Sequence, residues 1–142
     1  MRSLLAKWGD DTDGASAIEF AILTPVFLFM LTGMMAYGIY FGAANSIQQL
    51  TADAARTAIA GLDEPERNRL VGSFLRNNAG DYLLIDQRRV TFTIGDKPGD
   101  PSLYRVTVNY DASDLPIWNL YLPLPLPSPQ ISYTSVIRKG GL

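Results

Sequence analysis

The chain has no cysteine and no histidine. The first absence removes disulfides, thiol nucleophiles and thiolate metal sites. The second removes the side chain that most often carries protons near neutral pH. Asp and Glu are then the only candidate general acids or bases near pH 7. An excess of one charge is also missing: 12 basic against 14 acidic residues give a formal net charge of −2. No basic surplus exists to hold a phosphate backbone, so nucleic acid is not an expected partner. A third absence is local: from Phe20 to Ala44 no residue is charged. What remains, 142 residues of which 47% are hydrophobic, suits one small domain plus one membrane segment. Without disulfides, core packing alone must stabilise that domain.

The uncharged run exceeds the roughly 20 apolar residues a helix needs to cross a hydrocarbon layer. It is too long for the apolar core of a secretory signal, which is about 7–15 residues. No Ala-x-Ala-like cleavage site directly follows it. The sequence thus predicts a retained transmembrane helix. Arg2 and Lys7 precede it and the first basic residue beyond it is Arg56, so the N-terminus is expected in the cytoplasm and the remainder outside.

One carboxylate, Glu19, stands at the entrance to this run. At the bilayer centre it would cost roughly 2.5–3.5 kcal/mol, and less near the helix end, where water is in reach. An interfacial residue marking the membrane boundary is one reading. The neighbourhood offers another: Gly14 and the small Ala15 precede the apolar run, and Glu19 follows Gly14 by five residues. Gly14, Glu19 and the apolar helix resemble the processing signal of type IV pilins and pseudopilins. The segment "GASAIEFAILTPVFLFMLTGMM", with Pro25 six residues after Glu19, is similar more narrowly to TadE-like minor pilins or pseudopilins of the Tad (tight adherence, Flp) pilus system. The specific likeness runs from Gly14 to about Tyr40.

The resemblance implies that a membrane-embedded prepilin peptidase cuts between Gly14 and Ala15. Glu19 becomes the fifth residue of the mature chain. Small residues at the scissile bond let such a protease approach the backbone, and Gly14 is expected to keep the chain non-helical there, since glycine disfavours helix by about 1 kcal/mol. Cleavage would expose an α-amine on Ala15 with a pKa of about 7.7–8.0, largely cationic at neutral pH. In a bundle of parallel helices, Glu19 of one subunit can pair with the Ala15 ammonium of the next. Both groups lose hydration, so register rather than net stability is the expected gain. The residues before Gly14, "DDTD", are acidic where many such leaders are basic.

Pro25 removes a helix hydrogen bond within the span. It reads either as an ordinary kink or as a local melt that lets a subunit bend during extraction from the bilayer. Gly38 and Gly42 form a Gly-x-x-x-Gly pair, the spacing of close helix packing in membranes, although glycine is common in such helices. Tyr37 and Tyr40 suit an interfacial aromatic belt. "NSIQQLTADAARTAIAG", Asn45 to Gly61, continues with good helix formers. Ile47, Leu50, Ala54 and Ala58 fall on one face, and Gly61 is a natural stop. As one rod, Ala15 to Ala60 would extend about 70 Å.

Beyond it, Asp63-x-x-Glu66 with Pro65 marks a second helix start. Leu70, Val71, Phe74 and Leu75 form its stripe, and Asn77, Asn78 and Gly80 its end. The period then switches to two. Val90, Phe92 and Ile94 share one face; Tyr104, Val106, Val108 and Tyr110 share another. "GDKPGDP" between these runs predicts a hairpin, and Gln130 to Arg138 gives a third strand. The expected fold is α+β: a long N-terminal helix, membrane-spanning in its first half, a second short helix and a small antiparallel sheet, a pilin-like layout. The expected division is a leader over 1–14, a transmembrane helix over 15–44 and an exported domain over 45–142, helical over 45–78 and sheet over 82–138.

In "PIWNLYLPLPLPSP", Pro116 to Pro129, alternating leucine and proline favours an extended path. Trp118, Tyr121, Leu122, Leu124 and Leu126 could close the domain's own core or form a partner surface.

No catalytic constellation, phosphate loop or dinucleotide fingerprint is present. Asp96 and Asp100, like Asp111 and Asp114, belong to turn-rich stretches that favour Asp for conformational reasons. No metal, cofactor or enzymatic activity is expected. The resemblance implies these partners: the prepilin peptidase, a sibling pseudopilin, the major pilin, an inner-membrane assembly platform and membrane lipid. The alternative is an uncleaved single-pass membrane protein with a periplasmic binding or interaction domain. A membrane-tethered enzyme and a type II secretion pseudopilin are further from the residues.

Overall fold

The computed structural model describes residues 12–120 and 125–139. Helix α1 runs from Thr12 to Thr57, 46 residues with Pro25 inside it. A 3-10 turn over Ala58–Ala60 closes on Gly61. Helix α2 spans Glu64–Asn78. Strands β1 (Val90–Lys97), β2 (Asp100–Asp111) and β3 (Gln130–Arg138) form one antiparallel sheet in the order β1-β2-β3. The fold is α+β with a long N-terminal helix, as the periodicities predict.

Gly14 departs from the expected local structure. It lies inside α1 rather than in a non-helical lead-in. The helical cost of one glycine, about 1 kcal/mol, is small against the good helix formers that follow it.

Residues divide into two compact units, Met1–Ala36 and Tyr37–Leu142. The described part of the first is helical throughout. Most of its large apolar side chains are exposed: Phe20 is 71% exposed, Phe27 60% and Met34 71%. A soluble protein would bury such a face, whereas lipid can solvate it. By length and composition this is a helix able to cross a membrane.

In the second unit the later turns of α1 behave differently. Ile47, Leu50, Ala54 and Ala58 are fully buried. From α2, Val71 and Leu75 are buried too. The start of α2 is capped: the Asp63 carboxylate accepts from the Glu66 amide at 2.8 Å, and Glu66 Oε2 accepts from the Leu62 amide at 2.8 Å. Three amides at the helix start thus find acceptors once the Arg67 amide bonds to the Asp63 carbonyl. Gly61 allows the tight turn between the helices. A Cβ there would stand 2.6 Å from Arg67 Cγ and 2.9 Å from its backbone nitrogen.

The sheet obeys its two-residue period. Tyr104, Val106, Val108 and Tyr110 of the central strand are buried. The register aligns Val90, Tyr110 and Ile131 in one row and Phe92, Val108 and Tyr133 in the next. These rows give the sheet one apolar face, the unit of stabilisation in a sheet. Pro98 and Gly99 form the hairpin turn, which is tighter than the whole Gly95 to Pro101 cluster. Gly99 takes φ +84°, which that turn position requires of its residue.

Candidate functional site

Gly14, Ala15 and Glu19 occupy the first turns of α1, and all three are exposed. Gly14 has open space around it: a Cβ there would meet nothing within 4 Å. Among the described residues, no side chain covers the expected cut. Glu19 makes no hydrogen bond or ion pair to another described residue. Phe20, Ile22 and Leu23, immediately beyond it, are uncovered. An exposed carboxylate beside an exposed apolar helix has a use once a cation and a second apolar surface arrive together.

Deeper in the apolar segment, Thr24 and Thr32 are neutralised locally. Each hydroxyl donates to the carbonyl four residues earlier, Phe20 at 2.7 Å and Leu28 at 2.6 Å. Such bonds let threonine sit in an apolar helix without an unsatisfied donor. Pro25 has no amide to offer the carbonyl of Ala21, yet α1 continues through it.

The two glycines of the Gly-x-x-x-Gly pair have different surroundings. Gly38 has nothing within 4 Å of where a Cβ would stand, whereas at Gly42 the Leu84 Cδ1 atom lies 3.2 Å from it. Gly42 thus receives a side chain of its own domain. Leu84 itself takes φ +64°, a left-handed conformation that disfavours leucine by about 1–2 kcal/mol. It occupies the third position of a turn in which the Ile85 amide bonds to the Tyr82 carbonyl at 3.2 Å, and the Tyr110 hydroxyl donates to its carbonyl at 3.1 Å. No glycine or asparagine announces this turn in the sequence.

Next to it an open groove of about 650 Å³ runs between α1 and α2, lined by Asn45, Ser46, Gln49, Phe74, Asn78 and Tyr82 among others. The Tyr82 hydroxyl donates to Asp53 at 2.8 Å. Burial, then this bond to a carboxylate, pushes its pKa up to about 12.

Of the Leu-Pro stretch, Tyr121, Leu122 and Leu124 lie outside the described residues. Trp118 is half-buried, its indole N–H donating to the Ala112 carbonyl at 2.6 Å. Leu126 is half-buried and Pro125 exposed. The Ala112 amide donates to the Pro129 carbonyl at 2.8 Å, which closes the base of the loop. The Tyr37 hydroxyl donates to the carbonyl of Pro125, far away in sequence. Sequence periodicity carries no signal for that tether.

The turn carboxylates have partners of their own. Asp96 pairs with Lys139 at 2.5 Å, and Arg89 reaches both Asp111 and Asp114. Asp100 accepts from the amide and hydroxyl of Ser102, which hold its carboxyl below the usual range.

No curated protein and no solved structure matches the chain. A family model does: residues 14–56, which run from Gly14 to the last turn of α1, match that of the TadE-like proteins. In that segment the chain is similar to the TadE-like proteins, and the same segment is one helix long and apolar enough to cross a membrane.

Proposed function

We propose that the chain is a minor pilin or pseudopilin that takes part in building Tad/Flp-type pili and has no catalytic step of its own. One observation carries the reading. The match begins at Gly14, and in the structure Gly14, Ala15 and Glu19 stand exposed at the head of an uncovered apolar helix. A peptidase needs the first two accessible, and a neighbouring subunit needs the third.

In this reading the chain inserts with its N-terminus in the cytoplasm, anchored in the inner membrane. A prepilin peptidase removes residues 1–14. The new Ala15 ammonium of one subunit then meets the Glu19 carboxylate of the next, which sets the axial register as the apolar helices pack. The α+β domain remains on the periplasmic side and engages a sibling pseudopilin, the major pilin or the assembly platform. Adhesion is the function of the finished fibre rather than of this subunit alone.

The test is co-expression with the matching peptidase followed by intact-mass measurement. The expected product starts at Ala15 and disappears in Gly14→Leu, whose side chain obstructs the scissile bond. A full-length product in both leaves the alternative, an uncleaved single-pass protein with a periplasmic interaction domain.

A further inference from the structure

The Leu-Pro loop is tied to α1 at a particular depth. Within α1, Glu19 marks one end of the uncharged run, and Tyr37 follows Phe20 by about 26 Å along the axis at 1.5 Å per residue. A hydrocarbon layer is about 30 Å thick. If Glu19 sits at one membrane face, Tyr37 reaches the other, among Tyr40 and Phe41 of an aromatic cluster whose ring centroids lie 6.0–6.1 Å apart. Aromatic belts occupy that level. Helical side chains lean toward the N-terminus, so the Tyr37 hydroxyl lies no further out than its own Cα. That hydroxyl bonds the carbonyl of Pro125. Whatever lies at Pro125 therefore lies at the bilayer boundary.

The composition of the loop suits such a place. Prolines at 123, 125, 127 and 129 alternate with leucines and a serine. Every second residue thus lacks an amide donor. A chain in a poorly hydrated layer suffers chiefly from unsatisfied donors, and this pattern halves them. The loop is held at its base by Ala112–Pro129 and by the Trp118 indole. Its described end is therefore held at both Pro129 and Pro125, the latter at the level of Tyr37.

We infer that the segment around Pro125 and Leu126 is a second membrane contact, a strap immersed in the headgroup–acyl boundary of the leaflet from which α1 emerges. It would fix the domain's height above the membrane. The inference rests on the membrane-spanning reading of α1 and not on the pilus role.

Native cysteine is absent, so single-cysteine nitroxide labelling is clean. The full chain is reconstituted at high lipid-to-protein ratio in phosphatidylethanolamine–phosphatidylglycerol vesicles. Labels are placed at Pro125→Cys and Ser128→Cys, both exposed positions, with Phe27→Cys in the span and Val136→Cys on β3 as references. Collision with oxygen and with a water-soluble nickel complex reports depth. The expected oxygen-to-nickel ratio at 125 and 128 is several-fold above that at 136 and below that at 27. Two results overturn the strap: ratios equal to that at 136, meaning water, or protection from both reagents, meaning cover by protein such as a second copy. A wet label at 27 overturns the membrane reading itself, and so is distinguishable from either.

Discussion

Leu50→Ala and Phe27→Ala remove apolar side chains from the same helix and should have unequal consequences for the folded domain. Leu50 is completely buried; Phe27 is 60% exposed. Truncating a buried leucine costs about 2–5 kcal/mol, depending on how far the surroundings collapse. Around Leu50 collapse is restricted. Its helical neighbours Ile47, Thr51 and Ala54 are themselves buried, and all lie on one rigid element. A middle value of about 3 kcal/mol is therefore expected. For a unit of roughly 100 residues the unfolding entropy is about 0.2 kcal/mol/K, so Tm should fall by about 15 °C. Phe27→Ala should leave the domain within about 0.5 kcal/mol. The assay is thermal melting of the full chain in detergent micelles, followed by near-ultraviolet circular dichroism of the tyrosines and tryptophans. Equal shifts for the two variants would refute the division of α1 into a lipid-facing and a domain-packed portion. So would a Leu50→Ala effect under about 1 kcal/mol.

Asp63→Ala deletes the α2 cap and should cost about 1 kcal/mol, read as a fall of about 5 °C in the same melt; no shift would mean the cap is redundant. Tyr82 and Tyr104 are held near pKa 12, each chiefly by burial, against the usual 10.0 of a tyrosine. The folded state therefore binds the phenolic proton more tightly than the unfolded chain. Their contribution to stability is complete below pH 10 and is lost as pH rises from 10 to 12. Tyrosinate absorbance should contain a late-ionising component that appears together with unfolding and shrinks in Tyr82→Phe. A titration curve left unchanged by Tyr82→Phe would contradict the burial. Glu19→Ala should leave peptidase processing intact while reducing piliation; normal piliation would remove Glu19 from the assembly mechanism.

Elements with a strong period were legible in the amino-acid sequence. The buried stripe Ile47, Leu50, Ala54 and Ala58 follows directly from helical spacing, and the face Tyr104, Val106, Val108 and Tyr110 from alternation. The α2 start was legible because Asp63, Pro65 and Glu66 each have a stereochemical reason to be there. Three features were not. The helical state of Gly14 depends on competition between one residue and a long cooperative helix, which local propensity misjudges. The left-handed Leu84 has no glycine or asparagine to reveal it; tertiary bonds hold it in place. The Tyr37–Pro125 tether joins residues far apart in sequence, and no period connects them. At the N-terminus the sequence supplied Gly14, Ala15 and Glu19, while the structure adds that all three are exposed and that the helix beyond them is uncovered.

The most direct test of the assembly mechanism is the intact mass of the protein recovered from its native cell envelope. The expected result is a mature chain beginning at Ala15, with the Glu19 carboxylate at its fifth position. A population that begins wholly at Met1, with no shortened form, would contradict it.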